Sequence, residues 1–287
     1  MEKRKDLAIV LKSIPYEERH KIVTALTEQN GLITVLARNS IQSRRFGGAL
    51  DLFSASDWSF TVKPGVDLYR LDEAQIRRSF EGLRKDFQKY SLAGVFTEFV
   101  LLLAPRDEQC VDLFRIYANA LATLDGSSEN YQGAFRELAL LNAFLTKILF
   151  WSGCLPRIQG CLVCDRSFEY LSADEVTCVI GDAGWICSDC KSVDPRHVQE
   201  HRRGDQFHLV SLRLTPLALL DLKNFFQNPI KKATLLVQAS KKEHENLFRF
   251  LEAVLIYHVP GLDQKPMKSM RFIDLGSNLQ PLLASQQ

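Results

Sequence analysis

The spacing of apolar residues changes once along this chain, and that change limits the folds open to it. From Asp6 to about Arg77 the apolar residues come in short stretches, "LAIVL", "KIVTAL", "LITVLA", "LFSASDWSFTV" and "VDLYRL", separated by "SIPYEER", "EQNG", "RNSIQSRRFGG" and "KPG". Short apolar runs bounded by turn-forming residues are the pattern of strands. Five strands within roughly 75 residues is the strand count of a small Greek-key barrel such as the OB-fold. A five-stranded meander or an SH3-like barrel fits the same pattern. From Phe80 onward "FQKYSLAGVFTEFVLLLA", "VDLFRIYANALATL" and "YQGAFRELALLNAFLTKILFWSG" carry apolar residues at the three-and-four spacing of amphipathic helices. Pro105, "DGSS" at Asp125–Ser128 and Gly153 punctuate this helical part. The helical pattern resumes over Leu217–Phe226 and Glu243–Tyr257, with no internal repeat and no low-complexity segment.

Between the two helical parts lies "CLVCDRSFEYLSADEVTCVIGDAGWICSDC", Cys161 to Cys190, with a Cys-x-x-Cys pair at each end. Thiolates at i and i+3 on a tight turn face one metal ion, and two such knuckles supply the four ligands of a closed tetrahedral zinc site. The spacing predicts one zinc ion held by Cys161, Cys164, Cys187 and Cys190. The 22 residues between Cys164 and Cys187 slightly exceed the usual range, which calls for a longer loop or hairpin between the knuckles. Four sulfur ligands leave no position for water, so the zinc is read as structural. The alternatives are four reduced cysteines that happen to be paired, and a redox Cys-x-x-Cys at Cys161 and Cys164. Cys110, Cys154 and Cys178 belong to neither knuckle and are read as small buried hydrophobes. His197, His201 and His208, just downstream, are not read as ligands.

Seven cysteines, an odd number, without an export signal argue against a disulfide framework. No apolar run approaches the roughly 20 residues of a membrane-spanning helix, and a cytoplasmic, nucleoid-associated protein is expected. The balance of 36 Lys+Arg against 34 Asp+Glu gives a net charge of only +2, so any nucleic-acid contact must rest on a local patch. The most positive loop is "ARNSIQSRRFGGAL", Ala37–Leu50, which holds Arg38, Arg44 and Arg45 with no acidic residue, then Phe46 and a Gly-Gly pair. Guanidinium groups suit phosphates, and an adjacent aromatic ring offers a stacking face for an unpaired base. Lys12, Arg19 and Lys21 on the first hairpin extend the same face, and together these seven residues form the expected DNA-binding set. A solvated loop is the other reading. Trp58 and Tyr69 lie within strands and are expected in the core. No phosphate loop, His-Glu-x-x-His, deaminase signature or Gly-x-Ser-x-Gly elbow occurs, which leaves an enzyme reading without residues.

The chain resembles the RecO family of bacterial recombination mediators from near its N-terminus to about Phe272. "AIVLKS" with "LTEQNGLITVLARNSIQSRRFGGALDLFS" resembles the family's opening barrel, "DEAQIRRSF" its exit into the helices, "SGCLPRIQGCLVC" its approach to the first knuckle, and "KSMRFI" its closing motif. Cys154 departs from the large apolar residue often found there, and "DAGW" replaces a usual Gly-Gly before the second knuckle. Some family members lack the cysteines altogether, which argues against zinc as the seat of function.

The resemblance implies an α+β multidomain chain: an OB-fold nucleic-acid-binding domain over 1–79, a helical domain over 80–153 continued at 209–275, an inserted zinc module over 154–208, and a flexible tail over 276–287. It also implies an activity without bond chemistry: binding single- and double-stranded DNA, annealing complementary strands, and helping RecA replace single-strand-binding protein. The implied partners are RecR and the acidic C-terminal tail of single-strand-binding protein, with Arg115, Arg136 and Lys147 as candidate cations for that tail. A zinc-stapled interaction adaptor without DNA affinity is the competing hypothesis.

Overall fold

A computed structural model of the chain describes residues 2–41, 46–126, 134–171, 175–193, 212–262 and 267–273. The chain forms two compact units, Met1–Ser127 and Ser128–Gln287.

The first unit opens with five strands: β1 (Glu2–Tyr16), β2 (His20–Thr27), β3 (Gly31–Ala37), β4 (Ala55–Val62) and β5 (Leu68–Arg78). They hydrogen-bond in the order β1-β2-β3-β5-β4, and β4 closes on β1. Every pairing is antiparallel except β3 with β5, which run parallel from Thr34 opposite Leu68 to Leu36 opposite Arg70. Alternation along the strands sends Ala8, Val10, Val23, Ala25, Ile33, Val35, Trp58, Phe60, Tyr69 and Leu71 into one core. Burying an aromatic or branched side chain of this kind stabilises by about 1.5–3 kcal/mol. A bulge between Val10 and Lys12 shifts the β1–β2 register, so the strand leaves the core phase as it runs out toward Tyr16.

Three helices complete this unit: α1 (Glu81–Arg84), α2 (Phe87–Leu103) and α3 (Val111–Asp125). Asp86 caps α2 by accepting from the backbone N–H groups of Gln88 and Lys89. The segment after α2 is fastened to the barrel by Leu32 N–H donating to the Pro105 carbonyl at 2.8 Å and by the Tyr69 hydroxyl donating to Asp107 at 2.5 Å. Gly31 sits at the closest approach, with φ of +59°, and a Cβ there would lie 2.5 Å from the carbonyl oxygens of Pro105 and Glu108. Asp125, at the end of α3, accepts from Gly82 N–H at 2.8 Å. These ties put α1 to α3 in the same compact unit as the strands, so the division falls inside the segment 80–153 that the hydrophobic pattern presents as one helical stretch.

In the second unit α4 (Ala134–Trp151) packs with α6 (Pro216–Gln227), α7 (Ile230–Ala233) and α8 (Lys241–His258). α4 stops at Gly153, whose φ of +73° lets Gly153 N–H reach the Phe150 carbonyl and Cys154 N–H the Leu149 carbonyl. Thr215 caps α6 with Pro216 behind it, and Ser240 with Glu243 forms a capping box on α8. A polar group crosses the helical core: fully buried Asp221 accepts from Gln238 N–H, Ala239 N–H and His244 Nε2, while Asn142 Nδ2 faces His244 Nδ1 at 3.1 Å. Between α4 and α6 the chain forms β6 (Val176–Val179), β7 (Gly184–Ile186), α5 (Ser188–Val193) and β8 (Arg213–Leu214), with sheet order β7-β6-β8. No helix among the described residues is long and apolar enough to cross a membrane.

Candidate functional site

The sulfur atoms of Cys161, Cys164, Cys187 and Cys190 all lie within 4.8 Å of one another. Those of Cys164 and Cys187 are 3.8 Å apart. Four sulfurs about 2.3 Å from a central zinc ion stand about 3.8 Å apart at the edges of the tetrahedron. The donor set and its spacing therefore fit one metal ion, with all four positions filled by protein.

Local backbone geometry builds each knuckle. In the first, Asp165 N–H donates to the Cys161 carbonyl and Cys161 N–H to the Arg166 carbonyl, both at 3.0 Å, closing a tight turn in which Asp165 takes φ of +60°. Gly160 permits this fold-back, since a Cβ there would meet Asp165 Oδ1 at 2.5 Å. In the second, Lys191 N–H donates to the Cys187 carbonyl at 3.0 Å, and the helical turn this starts brings Cys190 beside Cys187. Leu162 N–H to the Trp185 carbonyl at 2.9 Å joins the two. The Trp185 ring, fully buried, donates Nε1–H to the Ile158 carbonyl at 3.0 Å.

The electrostatics favour a cation between the sulfurs. Burial opposes ionisation of Cys161, but backbone amides of Cys164, Cys187 and Val163 directed at its sulfur outweigh that and bring the thiol down to about 7. Burial, with the neighbouring thiols as a further cause, pushes Cys187 and Cys190 up. Four clustered thiols ionise together only with a positive ion among them. The arginines beside the site are already matched, Arg157 with Asp165 at 2.5 Å and Arg166 with Asp189 at 2.6 Å. Cys110 is buried in the first unit, Cys154 and Cys178 are half-buried, and none of the three joins the sulfur group. His197, His201 and His208 lie outside the described residues.

At the barrel, three of the expected cations come to one end of the β1–β2–β3 sheet. Arg19 lies in the turn between β1 and β2, and its carbonyl accepts from Ile41 N–H at 3.2 Å. Lys21 stands opposite Pro15 on one side and Ala37 on the other, and Arg38 follows directly. Arg19 and Arg38 are exposed, and Lys21 is half-buried. Lys12 is also exposed but pairs with Thr24, three residues from Lys21, so strand alternation puts it on the opposite face of the ribbon. Arg44 and Arg45 lie outside the described residues.

Phe46 departs from expectation. Its side chain is 4 % exposed and belongs to the barrel core with Leu50, Trp58 and Phe60. The turn Gly47–Leu50 folds the chain back across the barrel, and the ring gains more by filling that end than by facing water, so it offers no stacking face. Trp58 and Tyr69 are buried as expected. An exposed aromatic at the β1–β2 turn is Tyr16, 43 % exposed at the end of β1, with exposed Ile14 two residues before it and exposed Ile41 bonded to the Arg19 carbonyl. Position at the outer end of a hairpin, beyond the apolar alternation, is the signal that distinguishes Tyr16 from the core rings. His20, missed in the sequence, joins the two cation-bearing turns: its Nδ1 accepts from Asn39 N–H at 2.9 Å, and its Nε2 lies 3.4 Å from Glu17. Of the candidate cations for an acidic tail, Arg115 is in the first unit and Arg136 and Lys147 in the second. Lys147 is engaged, donating to the Phe226 carbonyl at 2.6 Å at the end of α6.

Comparison with known proteins gives one consistent result. Residues 1–80 match the family described as Recombination protein O N terminal, and residues 84–203 match Recombination protein O C terminal. The DNA repair protein RecO of Anaeromyxobacter dehalogenans is 31% identical over 198 residues, covering 68% of this chain and 74% of that protein. The DNA repair protein RecO of Rhodopirellula baltica is 30% identical over 186 residues, 64% of this chain and 66% of that protein. That of Desulfatibacillum aliphaticivorans is 29% identical over 187 residues, 64% of this chain and 69% of that protein.

Proposed function

This chain belongs to the RecO family of DNA repair proteins, and from that premise we propose that it binds single- and double-stranded DNA, anneals complementary strands and helps load RecA onto DNA coated with single-strand-binding protein. The strand order, with its parallel β3–β5 closure, supports an OB-fold reading of the barrel. The observation that carries the functional reading is the barrel end where exposed Arg19 and Arg38, half-buried Lys21 and exposed Tyr16 meet. The cations neutralise phosphates and the ring stacks on an unpaired base. Arg44 and Arg45 add to the same loop, with Lys12 as a more distant contact on the other face of the ribbon.

Annealing requires two polyanions to approach, and a basic surface lowers their repulsion while base edges stay free to pair. No bond chemistry and no ATP enter this mechanism. The four cysteines hold one structural zinc ion, which fastens a subdomain whose own core is too small to stand alone. RecR and the acidic tail of single-strand-binding protein are the protein partners, and the chain acts in the cytoplasm at the nucleoid.

The test is binding of a labelled single strand and annealing of complementary oligonucleotides by the full chain, with and without RecR. Salt-dependent binding and faster annealing are expected. Absence of both, with RecR still bound, would leave only an interaction adaptor.

A further inference from the structure

Several cations of the second unit are engaged. Arg157, Arg166, Arg213 and Lys223 are ion-paired with Asp165, Asp189, Glu175 and Glu169, and Lys147 donates to a backbone carbonyl. Lys231 and Lys232 on α7 and Lys241 and Lys242 at the start of α8 are not engaged, and neither are Lys191, Lys268 and Arg271 among the described residues, but the four lysines flank one short segment. All four are exposed, and among the described residues none of their ammonium groups has an ion pair or hydrogen bond.

The reason lies in the neighbouring acids. No Asp or Glu occurs from Leu222 to Lys242. Asp221, before that stretch, is fully buried on Gln238 N–H, Ala239 N–H and His244. Glu243, after it, accepts from Ser240 N–H at 2.6 Å and from the Thr215 hydroxyl at 2.5 Å. Both carboxylates serve the fold, and Glu245, four residues after Lys241 and three after Lys242 on α8, makes no ion pair with either among the described residues. Lys241 and Lys242 also stand in the first turn of α8, where the helix end is itself partly positive, an arrangement that disfavours a cation by about 0.3–1 kcal/mol. The segment between α7 and α8 presents two leucines to solvent, Leu235 53 % and Leu236 39 % exposed. The segment holding them is fixed: Leu235 N–H bonds the Lys232 carbonyl, Leu236 N–H the Ala233 carbonyl, and Asp221 accepts from the Gln238 and Ala239 amides.

We propose that Lys231, Lys232, Lys241 and Lys242, with Leu235 and Leu236 between them, form a second contact for single-stranded nucleic acid, on the second unit and additional to the barrel end. The proposal rests on the DNA-binding function above. Lysine ammoniums are point charges suited to phosphates in varied positions. Exposed leucines match the unstacked base faces and sugars of a single strand, whereas a duplex keeps its base faces inside the stack. A chain that anneals strands gains from a second place to hold one, because the repulsion between strands is then neutralised on both.

The test uses the full chain and a mixed-sequence single strand of 40 nucleotides, with affinity measured across a salt series. The variant Lys231→Gln/Lys232→Gln/Lys241→Gln/Lys242→Gln should keep its melting temperature and flatten the slope of log affinity against log salt by up to about 2.8, at about 0.7 per lost phosphate contact. Lys241→Gln/Lys242→Gln alone, which relieves the helix end and should fold at least as well, should flatten it by about 1.4. Leu235→Ser/Leu236→Ser should weaken single-strand binding three- to tenfold and leave duplex binding unchanged. An unchanged slope in the folded lysine variants overturns the proposal while leaving barrel binding intact. So does retained DNA binding with loss of binding to a Glu-rich peptide bearing leucines, which would make the surface a protein dock. A wild-type chain without any salt-dependent binding overturns the parent reading and this one with it.

Discussion

Asn39 N–H donates to Nδ1 of His20 at 2.9 Å, tying the turn after β3 to the start of β2. With Nδ1 accepting, the neutral ring carries its proton on Nε2, toward Glu17. The clamp ties together the turns that carry Arg19 and Arg38. Replacing His20 with Ala removes one hydrogen bond, about 0.5–1.5 kcal/mol. We expect oligonucleotide affinity to fall three- to tenfold with little change in melting temperature. Equal affinity in the folded variant would make the clamp irrelevant to binding.

Tyr69 predicts a loss of stability in alkali. Burial first, then the hydrogen bond to the Asp107 carboxylate and its charge, raise the phenol from 10.0 to about 12. Because the folded value is raised, the neutral phenol is the form the fold favours. Its contribution is complete below pH 10 and is lost as the pH climbs through about 12, on the order of 2 kcal/mol. Urea unfolding from pH 8 to 11.5 should show this decline in the wild type. Tyr69→Phe should be less stable at pH 8 and should lack that part of the decline, and parallel curves would refute the assignment.

Asp221 predicts a stability defect confined to the second unit. Asp221→Ala leaves Gln238 N–H, Ala239 N–H and His244 Nε2 without their acceptor in a fully buried place. Leaving three buried donors without an acceptor, at about 1–3 kcal/mol for each unsatisfied group, destabilises by about 3–5 kcal/mol in all. Calorimetry should record a drop of roughly 10 °C for a unit of this size. A smaller drop, under about 2 °C, would mean water replaces the carboxylate.

The metal site predicts about one zinc per chain and a melting temperature lowered by chelation or by Cys161→Ser. The residue Ala183, with φ of +45° in the turn between β6 and β7, holds a conformation that glycine adopts without strain. Ala183→Gly should therefore leave zinc content unchanged and raise the melting temperature slightly. Zinc well below one per chain in fresh protein would remove the structural-metal reading.

The apolar pattern placed β2, β3, β4 and the long helices within a few residues of where they lie, because periodicity is a local consequence of burying one face, while β1 and β5 run five to seven residues beyond their apolar stretches. Gly153 and the paired cysteines were equally legible, since a positive φ and an i, i+3 ligand pair depend on near neighbours. Pairing of β3 with β5 was not, nor was the attachment of α2 and α3 to the barrel through Gly31, Tyr69 and Asp125, because these contacts join distant parts of the chain. Phe46 misled for the same reason: beside a basic loop it reads as a surface ring, yet it belongs to a core assembled from all five strands. Lys231, Lys232, Lys241 and Lys242 look in sequence like an ordinary solvated surface. What distinguishes them in the fold is that Asp221 and Glu243 are spent on backbone amides and the Thr215 hydroxyl.

The central claim is that this chain holds DNA at the barrel end through phosphate contacts. The most direct measurement is the salt dependence of single-strand affinity for the wild type and for Arg19→Glu/Arg38→Glu in the full chain. Two lost phosphate contacts should flatten the slope of log affinity against log salt by about 1.4, with an unchanged melting temperature and unchanged sequence preference. A folded double variant with the wild-type slope would contradict the account.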